Sequence, residues 1–177
     1  HSTSVGALNS AGWCAHQGVP LPLLMVCEDN GIGISTRTPS GWTTRSMSSL
    51  PGLEYVYADG TDPEAALVAA RHAAHLVRTE RRPAVLHLRT VRFMGHAGSD
   101  AELAYRSRTE ILADYDRDPV LATARALVAR GVLTHAEALE RYEAMRTEVM
   151  AAAAAMIDTK RLDSAVQVMA PIAYPPV

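Results

Sequence analysis

Cysteine is scarce in this 177-residue chain. Cys14 and Cys27 are the only two, too few for a disulfide framework, and a reducing cytoplasm is the expected setting. An excess of positive charge is missing as well. The 17 Lys and Arg stand against 19 Asp and Glu, a formal net charge of −2, so nothing marks a nucleic-acid or anionic-membrane partner. No apolar run approaches the roughly 20 residues of a membrane span. The longest candidates are residues 21–27, broken by Pro22, and the Ala-rich residues 149–157. Internal repeats, a Gly-x-Ser-x-Gly elbow and a phosphate-loop Gly-Lys-Ser/Thr are all absent. Residue 1 is His, with no basic segment ahead of an apolar core, so no signal peptide is visible. The first residues read as a helix already under way, and the expectation is a fragment whose true N-terminus lies upstream.

What is present is the composition of a packed domain. A 48% hydrophobic and 20% charged chain excludes bulk disorder, and a fold of this size buries roughly 70% of its unfolded surface. Val5, Leu8, Ala11 and Ala15 predict a helix over 2–17, stopped by Gly18 and straightened by Pro20 and Pro22. Leu23-Leu24-Met25-Val26-Cys27 has no polar alternation, which predicts a central parallel strand buried on both faces. A second strand is expected over 54–58. Asp62-Pro63-Glu64 supplies an N-cap, a first-position proline and an early acid for a helix ending near Pro83. Residues 84–91 read as a third strand. Strand, helix and strand in this order build an α/β fold, a parallel sheet with right-handed crossovers and flanking helices. C-terminal helices follow: one opened by the Ser107-Arg108-Thr109-Glu110 capping box, one over 119–131, and one from Thr134 to about Arg161. The expected organisation is a single domain over 1–165 and an extended, proline-bearing tail or linker over 166–177.

Ligands of open parallel sheets bind beyond the carboxyl ends of strands, and two polar, glycine-containing loops leave such ends here. The first offers Asp29 and Asn30, hard oxygen donors suited to Mg²⁺, with Gly31 and Gly33 freeing carbonyls such as that of Ile32. A glycine turn with a solvated acid accounts for the same residues. The second offers Arg92, His96 and Arg106, able to hold phosphate or move a proton near neutral pH, or equally a surface loop with scattered charge. His72 and His75 share a helix face without a completing acid or thiol, and Cys14 and Cys27 read as packing.

Taken together, the two loops resemble a family. Glu28-Asp29-Asn30-Gly31-Ile32-Gly33 is similar to the closing half of the thiamine diphosphate motif, whose opening Gly-Asp-Gly would fall just before His1. Arg92-Phe93-Met94-Gly95-His96-Ala97-Gly98-Ser99-Asp100, followed by Ala104-Tyr105-Arg106-Ser107, resembles the active-site loop of the α subunit of 2-oxo acid dehydrogenase decarboxylating components. The resemblance implies a thiamine diphosphate-binding fold and oxidative decarboxylation of a 2-oxo acid, with acyl transfer to a lipoyl domain. It implies Mg²⁺ held by the Asn30 side chain and the Ile32 carbonyl, with Gly33 beside the cofactor. Arg92 would grip the diphosphate and His96 would lie at the thiazolium end. Ser99, Asp100, Tyr105 and Arg106 would order the loop where the lipoyl domain docks. The partner is a β subunit or fused β region, which supplies the glutamate that activates the cofactor.

Residues 30–36 and 104–107 look closer to the branched-chain members than to the pyruvate ones. An acetoin-cleaving relative, a non-catalytic assembly subunit and a generic nucleotide-binding module are the alternatives. Ala97 stands where regulated mitochondrial relatives have a phosphorylatable serine, so phosphorylation there is impossible, and Ser107 is explained by its cap. Without the opening aspartate, this segment alone should bind the Mg²⁺–cofactor pair poorly.

Overall fold

The computed structural model describes residues 6–172, and the chain divides into two compact units, His1–Ala126 and Leu127–Val177. The first unit contains helix α1 (Gly6–His16), strand β1 (Leu24–Asp29), a hairpin of β2 (Ile32–Gly33) and β3 (Thr36–Arg37), helix α2 (Trp42–Ser48) and β4 (Glu54–Asp59). It continues through α3 (Pro63–Arg78), β5 (Ala84–Arg89), a 3-10 turn (Glu102–Ala104) and α4 (Arg108–Tyr115). Helix α5 (Pro119–Ala129) crosses into the second unit, which holds α6 (His135–Ile157), α7 (Ala165–Met169) and a closing 3-10 turn (Ala170–Ile172). Among the described residues no helix is long and apolar enough to cross a membrane.

The main sheet is parallel with order β1-β5-β4. Side chains alternate between its faces, as the two-residue period of a strand requires. Leu24, Val56, Ala58, Leu86 and Leu88 pack toward Ala69, Ala73, Leu76 and Val77 of α3. Met25, Cys27, Tyr55 and Val85 meet Leu8 of α1 and Met47 of α2 on the other face. Helices therefore cover both faces of the sheet, and β5 is the buried strand between its two partners. This corrects the expectation of a central, doubly buried strand over 23–27. Among the described residues β1 is an edge strand whose Val26 is 54% exposed. The apolar run is real, but pairing order is set by long-range contacts that its composition does not encode.

The caps form where local chemistry dictates. Asp62 accepts from the Glu64 and Ala65 N–H groups, and Pro63 opens α3. Ser107 with Glu110 and Thr134 with Glu137 form reciprocal capping boxes at α4 and α6. Several boundaries differ from expectation: α3 stops at Arg78, β5 at Arg89 and α6 at Ile157. Where an extended tail was expected over 166–177, Ser164 caps the short α7, its hydroxyl oxygen accepting the Gln167 N–H, and the 3-10 turn follows. Residues 2–5 of the predicted first helix and 173–177 of the predicted tail lie outside the described residues.

Candidate functional site

The carboxyl ends of β1, β4 and β5 are level, with Asp29, Arg89 and Asp59 in one register row. The chain leaves β1 through a tightly wound loop. The Asp29 carboxylate accepts from the Gly31 N–H at 2.8 Å, and the Asn30 side-chain oxygen accepts from the Ile32 N–H at 3.0 Å. Gly31 takes φ +75°, a left-handed conformation natural to glycine. The β2–β3 hairpin then pairs Ile32 with Arg37 and Gly33 with Thr36. Between them Ile34 sits at φ +61°, costly for a β-branched side chain.

Arg92, just past β5, catches that strained residue. Its guanidinium donates to the Ile34 carbonyl at 2.8 Å and to the Tyr105 hydroxyl at 2.5 Å. The Tyr105 hydroxyl in turn donates to Asp100 at 2.6 Å, and the same Asp100 oxygen accepts the His96 backbone N–H at 2.7 Å. Those donors, Tyr105 first, hold the Asp100 carboxyl below its usual range, while the bond to Asp100 pushes the Tyr105 phenol up. A second tie is the Arg37–Glu110 ion pair at 2.7 Å. The two loops singled out by sequence are thus joined through Arg92 and Arg37.

Other expected residues take different positions. Asn30 faces a cleft of about 310 Å³ with Glu28, Gly60, Thr61, Thr90 and Phe93, beyond the ends of all three strands. His96 and Ser99 are exposed, and among the described residues no side-chain hydrogen bond ties either to the first loop. Gly33 is exposed in β2. Arg106 is buried and committed: it donates to Glu102 at 2.6 Å, to Asp114, and to the Arg92 and Glu110 carbonyls. The phosphate-holding alternative for Arg106 is therefore closed. Asp29 is likewise not a free metal donor, because His87, Gly31 and Arg89 occupy its carboxylate.

Sequence reasoning passed over Tyr55, His87 and Arg89, which line or underlie a second cleft of about 360 Å³ with Asp29, Arg37, Tyr57 and Thr43. A histidine inside an otherwise apolar strand was the available signal, since a buried imidazole requires partners.

The residues present suit a diphosphate and its divalent metal. The Arg92 side chain is only 15% exposed, and its Nε is buried without a hydrogen-bond partner. An orphaned buried donor costs about 1–3 kcal/mol, which an anionic oxygen would recover. The Asn30 oxygen keeps a lone pair after accepting from Ile32. No group of three or more His, Cys, Asp or Glu that could hold a metal occurs among the described residues. The Asn30 side-chain oxygen and the Ile32 carbonyl are neutral donors, so a divalent cation held there would draw its charge balance from phosphate or from carboxylates outside this pair.

Fold and site together define an α/β protein whose parallel sheet carries two joined loops at its carboxyl edge. The family described as Dehydrogenase E1 component matches residues 13–164, and the chain belongs to that family. It is 31% identical over 134 residues to the mitochondrial pyruvate dehydrogenase E1 component subunit alpha type I of Ascaris suum, covering 75% of this chain and 34% of that protein. It is 30% identical over 152 residues to the mitochondrial pyruvate dehydrogenase E1 component subunit alpha of Pisum sativum, covering 81% and 36% respectively. The human testis-specific mitochondrial form is 30% identical over 134 residues, covering 73% and 34%. The chain spans about a third of the length of these curated relatives.

Proposed function

We propose that the full-length protein, with a β subunit or fused β region, decarboxylates a 2-oxo acid oxidatively and passes the acyl group to a lipoyl domain. Thiamine diphosphate and Mg²⁺ are its cofactors. The observation that carries this reading is the buried, unpartnered Nε of Arg92, on a guanidinium that also joins the two loops. When bound, the cofactor supplies a carbanion nucleophile and an electron sink for decarboxylation.

The chain's own residues bind and orient. Arg92 Nε would donate to a diphosphate oxygen, and the Asn30 side-chain oxygen and Ile32 carbonyl would face the metal, with Gly33 leaving the backbone room. His96, its imidazole exposed and its backbone tied to Asp100, would hold or deliver a proton near the substrate. Ser99, Asp100, Tyr105 and Arg106 form or support the loop that would meet the lipoyl domain. The resemblance of residues 30–36 and 104–107 favours a branched-chain 2-oxo acid, whereas the relatives are named for pyruvate. A reducing cytoplasm suits the two free cysteines.

The test uses the full-length protein with its β partner, thiamine diphosphate and Mg²⁺, and follows reduction of an artificial electron acceptor. Pyruvate, branched-chain 2-oxo acids, 2-oxoglutarate and acetoin are supplied in turn. Turnover of one 2-oxo acid is expected, with His96→Ala lowering kcat about 10²–10⁴-fold. Turnover of acetoin alone would replace the substrate assignment. Silence on every substrate, with no cofactor retained by the purified complex, would leave an assembly role and overturn the proposal.

A further inference from the structure

His87 has no part in the reaction as proposed, yet it is among the most enclosed polar groups in the protein. It lies in mid-β5, between Cys27 and Tyr57 in the register, and is 1% exposed. Both ring nitrogens are satisfied. The Asp29 carboxylate can only accept, so Nε2 donates to its Oδ2, at 3.2 Å. Nδ1 then accepts the Tyr55 hydroxyl at 2.7 Å. Burial raises the Tyr55 phenol's pKa, which keeps its proton in place as donor. The Tyr57 ring stands edge-on to the imidazole at 5.2 Å, and Tyr55 tilts against it at 5.9 Å, so the two β4 tyrosines form an aromatic clasp on the imidazole.

Asp29 is the joint between this clasp and the first loop. With Oδ2 fixed by His87, its Oδ1 faces the Gly31 N–H at 2.8 Å. Arg89 holds the Asp29 carbonyl at 3.2 Å, and a Cβ at Gly31 would come within 2.8 Å of its Nη1, so the guanidinium would have to shift to admit one. The next bond, Asn30 to the Ile32 N–H, continues the same winding. A carboxylate on its own rotates readily about its last torsion. His87 removes that freedom.

We propose that His87, oriented by Tyr55, is a positioning residue for the loop holding Asn30 and Ile32, acting through Asp29 without touching the metal. The proposal rests on the reading that Asn30 and Ile32 are the Mg²⁺ donors. Groups that orient metal ligands typically change metal affinity about 10–100-fold when removed.

The experiment titrates Mg²⁺ into the full-length protein with its β partner, at fixed thiamine diphosphate, and reads cofactor binding by calorimetry. His87→Leu, which deletes both bonds, should raise the half-saturating Mg²⁺ concentration about 10–100-fold. His87→Gln, whose amide still offers an N–H toward Asp29, should recover most of that loss. Tyr55→Phe, which removes one hydroxyl and keeps the ring, should shift the midpoint the same way by less; it carries the test if His87→Leu does not fold. At saturating Mg²⁺ the KM for the 2-oxo acid should be unchanged. An unchanged Mg²⁺ midpoint in Tyr55→Phe and His87→Leu, or a His87→Gln variant as impaired as His87→Leu, overturns the positioning role. A wild-type complex that binds no cofactor, or an Asn30→Ala variant with wild-type Mg²⁺ dependence, instead overturns the reading on which it rests.

Discussion

Arg106 is the strut beneath the second loop, and Arg106→Leu is the sharpest single perturbation of it. The side chain is 5% exposed and makes two charge-assisted bonds, to Glu102 and Asp114. It also donates to the Arg92 carbonyl at 3.3 Å and the Glu110 carbonyl at 3.3 Å. Leucine keeps much of the volume but leaves two carboxylates facing a site without a cation. Breaking a buried pair in this way costs about 3–5 kcal/mol. Because Glu102 and Asp114 are 13% and 23% exposed, water relieves part of their isolation, and the loss should fall near the lower end, about 3 kcal/mol. Local unfolding of the Arg92–Tyr105 segment should follow, since its first carbonyl loses its tether. Urea denaturation of the full-length protein, with hydrogen exchange across residues 93–105, measures both effects. Adding Glu102→Gln and Asp114→Asn to Arg106→Leu should restore part of the stability, because the stranded charges are then gone. A loss below about 1 kcal/mol, or a triple variant as unstable as the single one, would refute the argument that the guanidinium is needed for its charge.

Two further outcomes follow from the same geometry. The Ser107 backbone N–H and the Arg37 guanidinium pull the Glu110 carboxyl from 4.5 down to about 2. Its stabilisation of the α4 N-terminus is therefore full above pH 4.5 and lost as pH falls toward about 2, and Glu110→Gln should flatten that acid transition when helix content is followed by circular dichroism. A transition unchanged by the substitution would assign it to other groups. Gly31→Ala meets a left-handed backbone, worth about 1–2 kcal/mol, and drives the Arg89 guanidinium off Asp29. A lower melting temperature and a raised Mg²⁺ midpoint are expected, and a variant that melts like wild type would argue against the close Gly31–Arg89 packing.

What the sequence alone determined is whatever depends on neighbours a few residues apart. Asp62-Pro63, Ser107 with Glu110 and Thr134 with Glu137 open helices because an N-cap bond reaches two or three residues along the chain. The strands at 54–59 and 84–89 lie where strands were expected over 54–58 and 84–91, and the parallel α/β class was legible from their alternation with a helix. The loop strings around Asn30 and Arg92 were enough to show family resemblance. Tertiary structure decided everything that joins distant positions. It put β5 between β1 and β4, brought Arg37 to Glu110 across 73 residues, and hung Ile34 on Arg92 across 58. It also turned His87 from one letter in a strand into the link between Tyr55 and Asp29. The physical reason is that a buried polar group must find partners, and the sheet's register, which no local pattern encodes, determines which ones come within reach.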